Sequence, residues 1–249
     1  MPDIIVHASM AREVLNRCGI QLNTDRFYLG CYGPDPFLMY HFTGGFRKRI
    51  FLWGSTMHET RTGDFLIELT KASADLSYVA GFLCHYALDS TVHPLVRRYV
   101  PKDKGYLHMA IEHRLEVMDG GKFVWPKYLD AETERMVGSV IEKVYGFPRP
   151  MKKFKAGYRD LKIFSLIAED RHRILCRIFK RGTLGAISYH TKLADGFDLS
   201  QFEALKELAT ERAAGFIEGI QRYKKGDIGE DELRAIIGNK SYSGDEAEA

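Results

Sequence analysis

The sequence predicts an all-α protein, a bundle of many helices packed around one apolar helix. Three observations carry that reading. Apolar residues recur at spacings of three and four along most of the 249-residue chain, with Gly and Pro at the breaks. No segment alternates apolar and polar residues for long enough to make a sheet. The stretch 75–93 is apolar on most of its sides, which places it in the middle of a bundle rather than on its surface.

The periodicity predicts helices over 6–18, 24–31, 35–42, 60–73, 75–93, 104–119, 130–145, 155–181 with a break, 200–224 and 229–237. Asp75 and Asp130 stand where N-caps belong, and Gly146 where a C-cap belongs. Pro94 is expected to stop the central helix, since it brings no N–H to the ladder. Between the third and fourth helices the compact apolar run Ile50-Phe51-Leu52-Trp53 admits a short extended segment over 47–53, as an embellishment. The segment Gly120 to Pro126 is the best internal joint. The polar, acidic end 241–249 reads as a disordered tail.

A chain of this length can bury one large core and holds at most two domains; residues 1–240 read as one. Apolar content of 45% and charged content of 28% describe an ordinary globular protein, and a net charge of +3 does not demand a nucleic-acid partner. No apolar run reaches 18 residues, and the first ten residues lack the apolar stretch of a signal peptide. Cys18, Cys31, Cys84 and Cys176 are widely spaced in apolar surroundings, as free buried thiols in a reducing cytoplasm would be. Between Phe147 and Arg181 there are eleven Lys or Arg against three acids, which reads as a solvated helix face in preference to a basic surface for phosphate-bearing partners.

Chemistry concentrates in the first half, where seven of the nine histidines lie between His7 and His113. His85, Asp89 and His93 recur every four residues and so share one face of the central helix. An ionised Asp buried there needs a partner, and two neutral imidazoles beside a carboxylate suit Zn²⁺ better than calcium or magnesium. Asp89, with two oxygens, is the natural bridge between ions. On the helix over 104–119, Leu107, Ile111, Leu115 and Met118 form an apolar arc about 80° wide. His108 lies about 65° and Glu112 about 105° from its centre, while His113 lies about 155° away and is expected to face solvent. His108 and Glu112 are therefore favoured over His113 and Glu116. Asp35 in Gly33-Pro34-Asp35-Pro36 and His58 after a Trp-Gly turn add donors, whereas His41, His172 and His190 match no pattern.

Taken in chain order, His7, Gly-Pro-Asp at Asp35, Met57-His58, Gly81-Phe-x-x-His-Tyr-x-x-Asp89, His93-Pro94 and His108-x-x-x-Glu112 resemble the zinc-dependent phospholipase C family. That fold is shared with the fungal single-strand nucleases, and the resemblance covers roughly residues 1–120. It implies an all-α bundle of the phospholipase C and single-strand nuclease type, binding two or three zinc ions in one cleft. Asp35, His58, His85 and Asp89 would surround one ion, His93, His108 and Glu112 a second, and His7 and Asp89 a third, with Asp35 also the general base. The implied reaction is attack of a metal-activated hydroxide on a phosphodiester, with a phospholipid as one candidate substrate. A nuclease-like activity and a non-catalytic metal-binding scaffold are the competing readings. Aromatic residues Phe37, Tyr40, Trp53 and Tyr86 are candidates for shaping the pocket.

The chain departs from the family pattern in two places. The relatives complete the third site with an N-terminal Trp, where this chain has Met1-Pro2. Either the Pro2 amine takes that place or the third site is weak or empty. The gap from Asp89 to His93 is also shorter, which keeps His93 on the helix.

Overall fold

The computed structural model describes residues 4–41, 47–100, 105–121, 124–168 and 196–247, and among these every regular element is a helix. In chain order they are α1 (Ile4–Cys18), α2 (Thr24–Cys31), α3 (Asp35–Leu38), α4 (Lys48–Glu59), α5 (Thr62–Ala72), α6 (Ser77–Tyr99), α7 (Gly105–Asp119), α8 (Ala131–Tyr145), α9 (Pro150–Ala168), α10 (Leu199–Lys225) and α11 (Glu230–Ile237). The expected all-α bundle is the observed one.

The central helix is α6. From Ser77 to Val92 every residue is buried, and α1, α2, α5, α7 and α10 all pack against it. Such a helix has no polar face to give to water, which is why its sequence is apolar on most sides. Its crossing with α2 is very close. A Cβ built on Gly81 would lie 1.9 Å from the carbonyl oxygen of Phe27, and one on Gly30 would lie 2.2 Å from that of Tyr78. Only hydrogen on both helices lets the backbones meet, and that contact draws the end of α2 and the turn into α3 down onto His85.

Caps follow local chemistry where side chains can reach. Asp130 accepts from the N–H groups of Glu132 and Thr133 at the start of α8, and Gly146, at φ +68°, ends it. Asp75 accepts from Ser77 N–H at 2.8 Å, one residue ahead of the position Leu76 that flanks α6.

Three expectations are corrected. The run 47–53 is not extended but lies at the start of α4, because Ile50, Trp53, Gly54 and Met57 form one buried helical face. A short apolar run fits either period, and here the core decides. His58 accordingly sits in the last turn of α4 and not after a turn.

Pro94 does not end α6, which continues to Tyr99, because Leu95 and Val96 are almost wholly buried and hold the next turn in place. Thirdly, the polar end is ordered through Ala247. Ala247 N–H donates to Asn239 O at 2.8 Å, Lys240 pairs with Glu246, and Ser241 is buried.

The joint expected at Gly120 to Pro126 is crossed by packing in its described part. Tyr32 donates its hydroxyl to Val124 O, and Trp125 packs beside Tyr32 and Tyr158. The basic run enters α9, where Lys152, Lys155, Arg159 and Lys162 are exposed along one face; its remainder, with His172, Cys176 and His190, lies outside the described residues. No described helix is long and apolar enough to cross a membrane.

Candidate metal centre

Five helices deliver the eight sequence-predicted residues to one place. His7 comes from α1, Asp35 from the start of α3, His58 from the end of α4, His85, Asp89 and His93 from α6, and His108 and Glu112 from α7. They meet as interlocking groups, one around His58, His85 and Asp89, one joining His7, Asp35 and His85, and one of His93, His108 and Glu112.

Asp89 stands between them. Its Oδ2 lies 3.1 Å from His85 Nε2 and 3.3 Å from His58 Nε2, while its Oδ1 lies 3.3 Å from His7 Nε2 and 3.2 Å from His93 Nδ1. His58 Nε2 is also 3.4 Å from Asp35 Oδ1 and 3.2 Å from His85 Nε2. On the far side, Glu112 Oε1 lies 3.3 Å from His93 Nε2 and 2.8 Å from His108 Nε2. Asp89 thus turns one oxygen to each half of the cluster, and His93 turns one nitrogen to Asp89 and the other to Glu112.

The supporting contacts orient the rings. His58 donates Nδ1–H to Gly54 O at 2.7 Å, and His85 donates Nδ1–H to Cys31 O at 3.2 Å, each carbonyl fixing the tautomer. His85 is further pressed into position by Gly33, at φ +49°, where a Cβ would overlap the ring at 2.2 Å. The Gly-Pro-Asp turn therefore does two things: Gly33 makes room for His85, and Asp35 opens α3 beside it.

These contacts test whether zinc fits. With both Nδ1 atoms donating, the neutral rings of His58 and His85 aim lone pairs at each other across 3.2 Å, an arrangement that needs a proton or a cation between them. Zn–N and Zn–O bonds of about 2.0–2.1 Å in a tetrahedron put neighbouring donors about 3.3 Å apart. Four of the six separations among Asp35, His58, His85 and Asp89 run from 3.1 to 3.4 Å, three of them within the group His58, His85 and Asp89. His7 Nδ1 and Asp35 Oδ2 are moreover buried without a hydrogen-bond partner. Borderline nitrogen and carboxylate donors in this spacing fit zinc.

Electrostatics say the same. Burial works against charge on every member, yet Asp89 is held well below the usual carboxylate range because His85, His93, His58 and His7 surround it. Asp35 is lowered too, burial being outweighed by His85 and His58, and Glu112 is lowered by His108 and His93. Against the same burial, Asp35 and Asp89 push His58 up to about 10, and Asp89 with Glu112 pushes His93 up to about 9. His7 goes the other way, lowered by burial and by His85 stacked on it at 4.4 Å.

A measurable consequence is that protons and metal compete for these rings. At pH 7 the metal-free protein carries protons on His58 and His93, and metal binding expels them, so about two protons should be released. In the metal-free state these raised histidines stabilise the fold below about pH 6.5 and lose that contribution as pH rises through 9 to 10. Zinc titration calorimetry in buffers of different ionisation enthalpy counts the protons; a buffer-independent heat would show that the rings are already neutral.

Other expectations come out differently. His113 does not face solvent: its side chain is 20% exposed against 18% for His108, and it lies 3.8 Å from Glu116. Met118, counted in the apolar arc, is 52% exposed, so the true buried face is turned towards Glu112 and Glu116. Glu116 accepts from Ile5 N–H at the start of α1 and belongs to the packing of α1 on α7. His41 is half-buried against Tyr40 at φ 59°. Phe37 and Trp53 are core residues, Phe37 edge to face with Phe154 and Trp53 stacked on Phe147, whereas Tyr86 lines a cavity beside His58, His85 and Asp89. Pro2 lies outside the described residues.

Sequence reading missed Tyr242, whose ring meets those of His93 at 4.9 Å and His58 at 5.7 Å, both edge to face. Nothing in Ser241-Tyr242-Ser243-Gly244 marks it, since only the tertiary contact sets it apart.

A family model described as zinc dependent phospholipase C matches residues 6–146, a span that contains all eight clustered residues and ends before α9. No curated protein and no solved structure matches the chain.

Proposed function

Since the chain belongs to the zinc-dependent phospholipase C family, we propose that it hydrolyses phosphodiesters with two or three zinc ions held by His7, Asp35, His58, His85, Asp89, His93, His108 and Glu112. The observation that carries this reading is the split of Asp89, one oxygen towards His58 and His85 and the other towards His7 and His93. A carboxylate so placed would offer one oxygen to an ion held with His58 and His85 and the other to an ion held with His7 or His93, and two ions at one site would act on one phosphate. Zinc supplies there a Lewis acid for phosphoryl oxygens and ionisation of water near neutral pH.

The chain's own residues do the rest. Asp35 keeps Oδ1 towards His58 and leaves Oδ2 without a partner. Being ionised, it takes the proton of the attacking water at that oxygen. Gly54 O and Cys31 O hold His58 and His85 in the tautomer that turns Nε2 to the cluster. No serine or cysteine nucleophile is needed. A phospholipid is the proposed substrate class, following the family's description. Cys18, Cys31 and Cys84 are free thiols, which supports a cytoplasmic protein.

Elemental analysis of zinc-reconstituted protein should find at least two zinc ions per chain, with turnover of bis(p-nitrophenyl) phosphate and of phosphatidylcholine or phosphatidylinositol vesicles. His108→Ala should lower the zinc content by about one ion, because it removes a donor of the group with Glu112. His113→Ala should leave it intact. Absence of zinc after reconstitution, or equal loss in the two variants, would overturn the assignment; zinc without turnover would leave a scaffold.

A further inference from the structure

Among the described residues a cavity that reaches His58, His85 and Asp89 measures about 20 Å³. That is room for one water molecule. A phosphodiester carrying two substituents is larger than this cavity, so it can reach His58, His85 and Asp89 from this side only if part of the wall moves. Most of that wall is helix or core, including Phe65, Leu66, Phe82 and Tyr86. Two wall residues lie outside the helices, Pro34 in the buried turn into α3 and Tyr242 on a loop near the end of the chain.

The loop is closed at its base and light at its tip. Asn239 and Ala247 exchange hydrogen bonds, Asn239 Nδ2 donating to Ala247 O at 3.0 Å and Ala247 N–H to Asn239 O at 2.8 Å. Lys240 N–H donates to the Tyr86 hydroxyl, and Thr62 Oγ1 donates to Lys240 O. Beyond that base, Tyr242 N–H donates to His58 O at 2.9 Å, and Arg97 lies over the Tyr242 ring while donating to Ser243 Oγ. The tip is Ser-Tyr-Ser-Gly-Asp, polar except for the one ring. Water can replace each tip hydrogen bond, and a segment with so little apolar anchorage opens locally at small cost.

We infer that the loop over 239–247 is a movable cover on the metal cluster, with Tyr242 as the plug that substrate must displace. The inference rests on the phosphodiesterase reading for what enters, but not for the shielding itself. Tyr242 straddles the two halves of the cluster, since its ring meets His58 on one side and His93 on the other. The loop tip rests on α6 through Gly244. At φ +83° a Cβ there would lie 2.7 Å from Pro94 Cγ and 3.2 Å from Ser90 O. Pro94 gives no N–H to Ser90 O, so this is the turn of α6 against which a glycine loop can sit flat. A side chain at 244 is both conformationally strained and sterically opposed, and should lift the tip without altering any metal donor.

Two full-length variants test this, Gly244→Ala and Tyr242→Ala. In the metal-free protein at pH 9, where a fraction of the His58 and His93 rings is neutral and able to react, their carbethoxylation by diethyl pyrocarbonate, read by peptide mass spectrometry with His41 as internal reference, should accelerate about tenfold or more in both. In the zinc-loaded protein, hydrolysis of bis(p-nitrophenyl) phosphate should rise several-fold through kcat/KM. Unchanged carbethoxylation in both variants overturns the cover, whatever the activity. Faster carbethoxylation with hydrolysis in no form of the protein upholds the cover and removes the phosphodiesterase reading. Faster carbethoxylation with hydrolysis lowered in both variants overturns the cover in favour of Tyr242 as a fixed wall of the substrate site. Gly244→Ala leaves the tyrosine in place, so an effect shared by both variants belongs to the loop and not to the lost ring.

Discussion

Asp89→Asn should abolish phosphodiester hydrolysis, by at least about 10³-fold, and lower the zinc content by one ion or more. The side chain keeps its shape and loses its charge. In the wild-type protein its two oxygens face His58, His85, His7 and His93 at 3.1 to 3.3 Å, so the change touches both halves of the cluster together. Groups that merely orient a metal-bound side chain cost about 10–100-fold when removed; a carboxylate shared by two sites must cost more. The amide also presents an NH₂ to histidines that need an acceptor. His58 and His93 should fall from about 10 and about 9 towards ordinary values, because Asp89 is among the groups that raise them. The helical circular dichroism should persist, since α6 is held by its apolar neighbours on nearly every side. A variant with full zinc content and full turnover would place the catalytic centre elsewhere.

The reasons the sequence was legible at this site are specific. A four-residue step on a helix turns by about 40°, so His85, Asp89 and His93 had to share a face, and His108 with Glu112 likewise. The convergence of the five helices was not derivable from that step. It depends on the Gly30 and Gly81 crossing and on Gly33 beneath His85, contacts between residues tens of positions apart. Where local signals were ambiguous the reading failed. Ile50 to Trp53 satisfies either period until Trp53 is seen against Phe37 and Phe147. Pro94 should end a helix by local rules, and burial of Leu95 and Val96 overrides them. The arc that sent His113 to solvent was misdrawn by one residue, Met118, which is apolar and exposed. Polar composition hid the loop over 239–247 altogether, because its order comes from Tyr242 docking on histidines drawn from α4 and α6.

Zinc should govern the stability of the whole bundle. Its donors come from α1, α3, α4, α6 and α7, spanning His7 to Glu112, and none of that geometry exists in the unfolded chain. At free zinc about 1,000-fold above the dissociation constant, one site adds about 4 kcal/mol to the unfolding free energy. For a chain of this size each kcal/mol raises Tm by about 2–4 °C, so a single ion should give roughly 8–16 °C and further ions more. The metal-free protein is not left empty-handed: histidinium rings at His58 and His93 face Asp35, Asp89 and Glu112, and this network holds while the carboxylates stay ionised and the rings protonated. Its contribution is lost as acid protonates the carboxylates and, separately, as pH climbs through 9 to 10. Zinc must displace those protons, so its stabilising increment should be larger at pH 8 than at pH 6. Thermal melts of chelated and zinc-reconstituted protein at the two pH values test both points. A Tm that does not change on verified removal of zinc would mean that the ion sits outside this cluster. An increment that shrinks from pH 6 to pH 8 would mean that His58 and His93 carry no protons for zinc to expel.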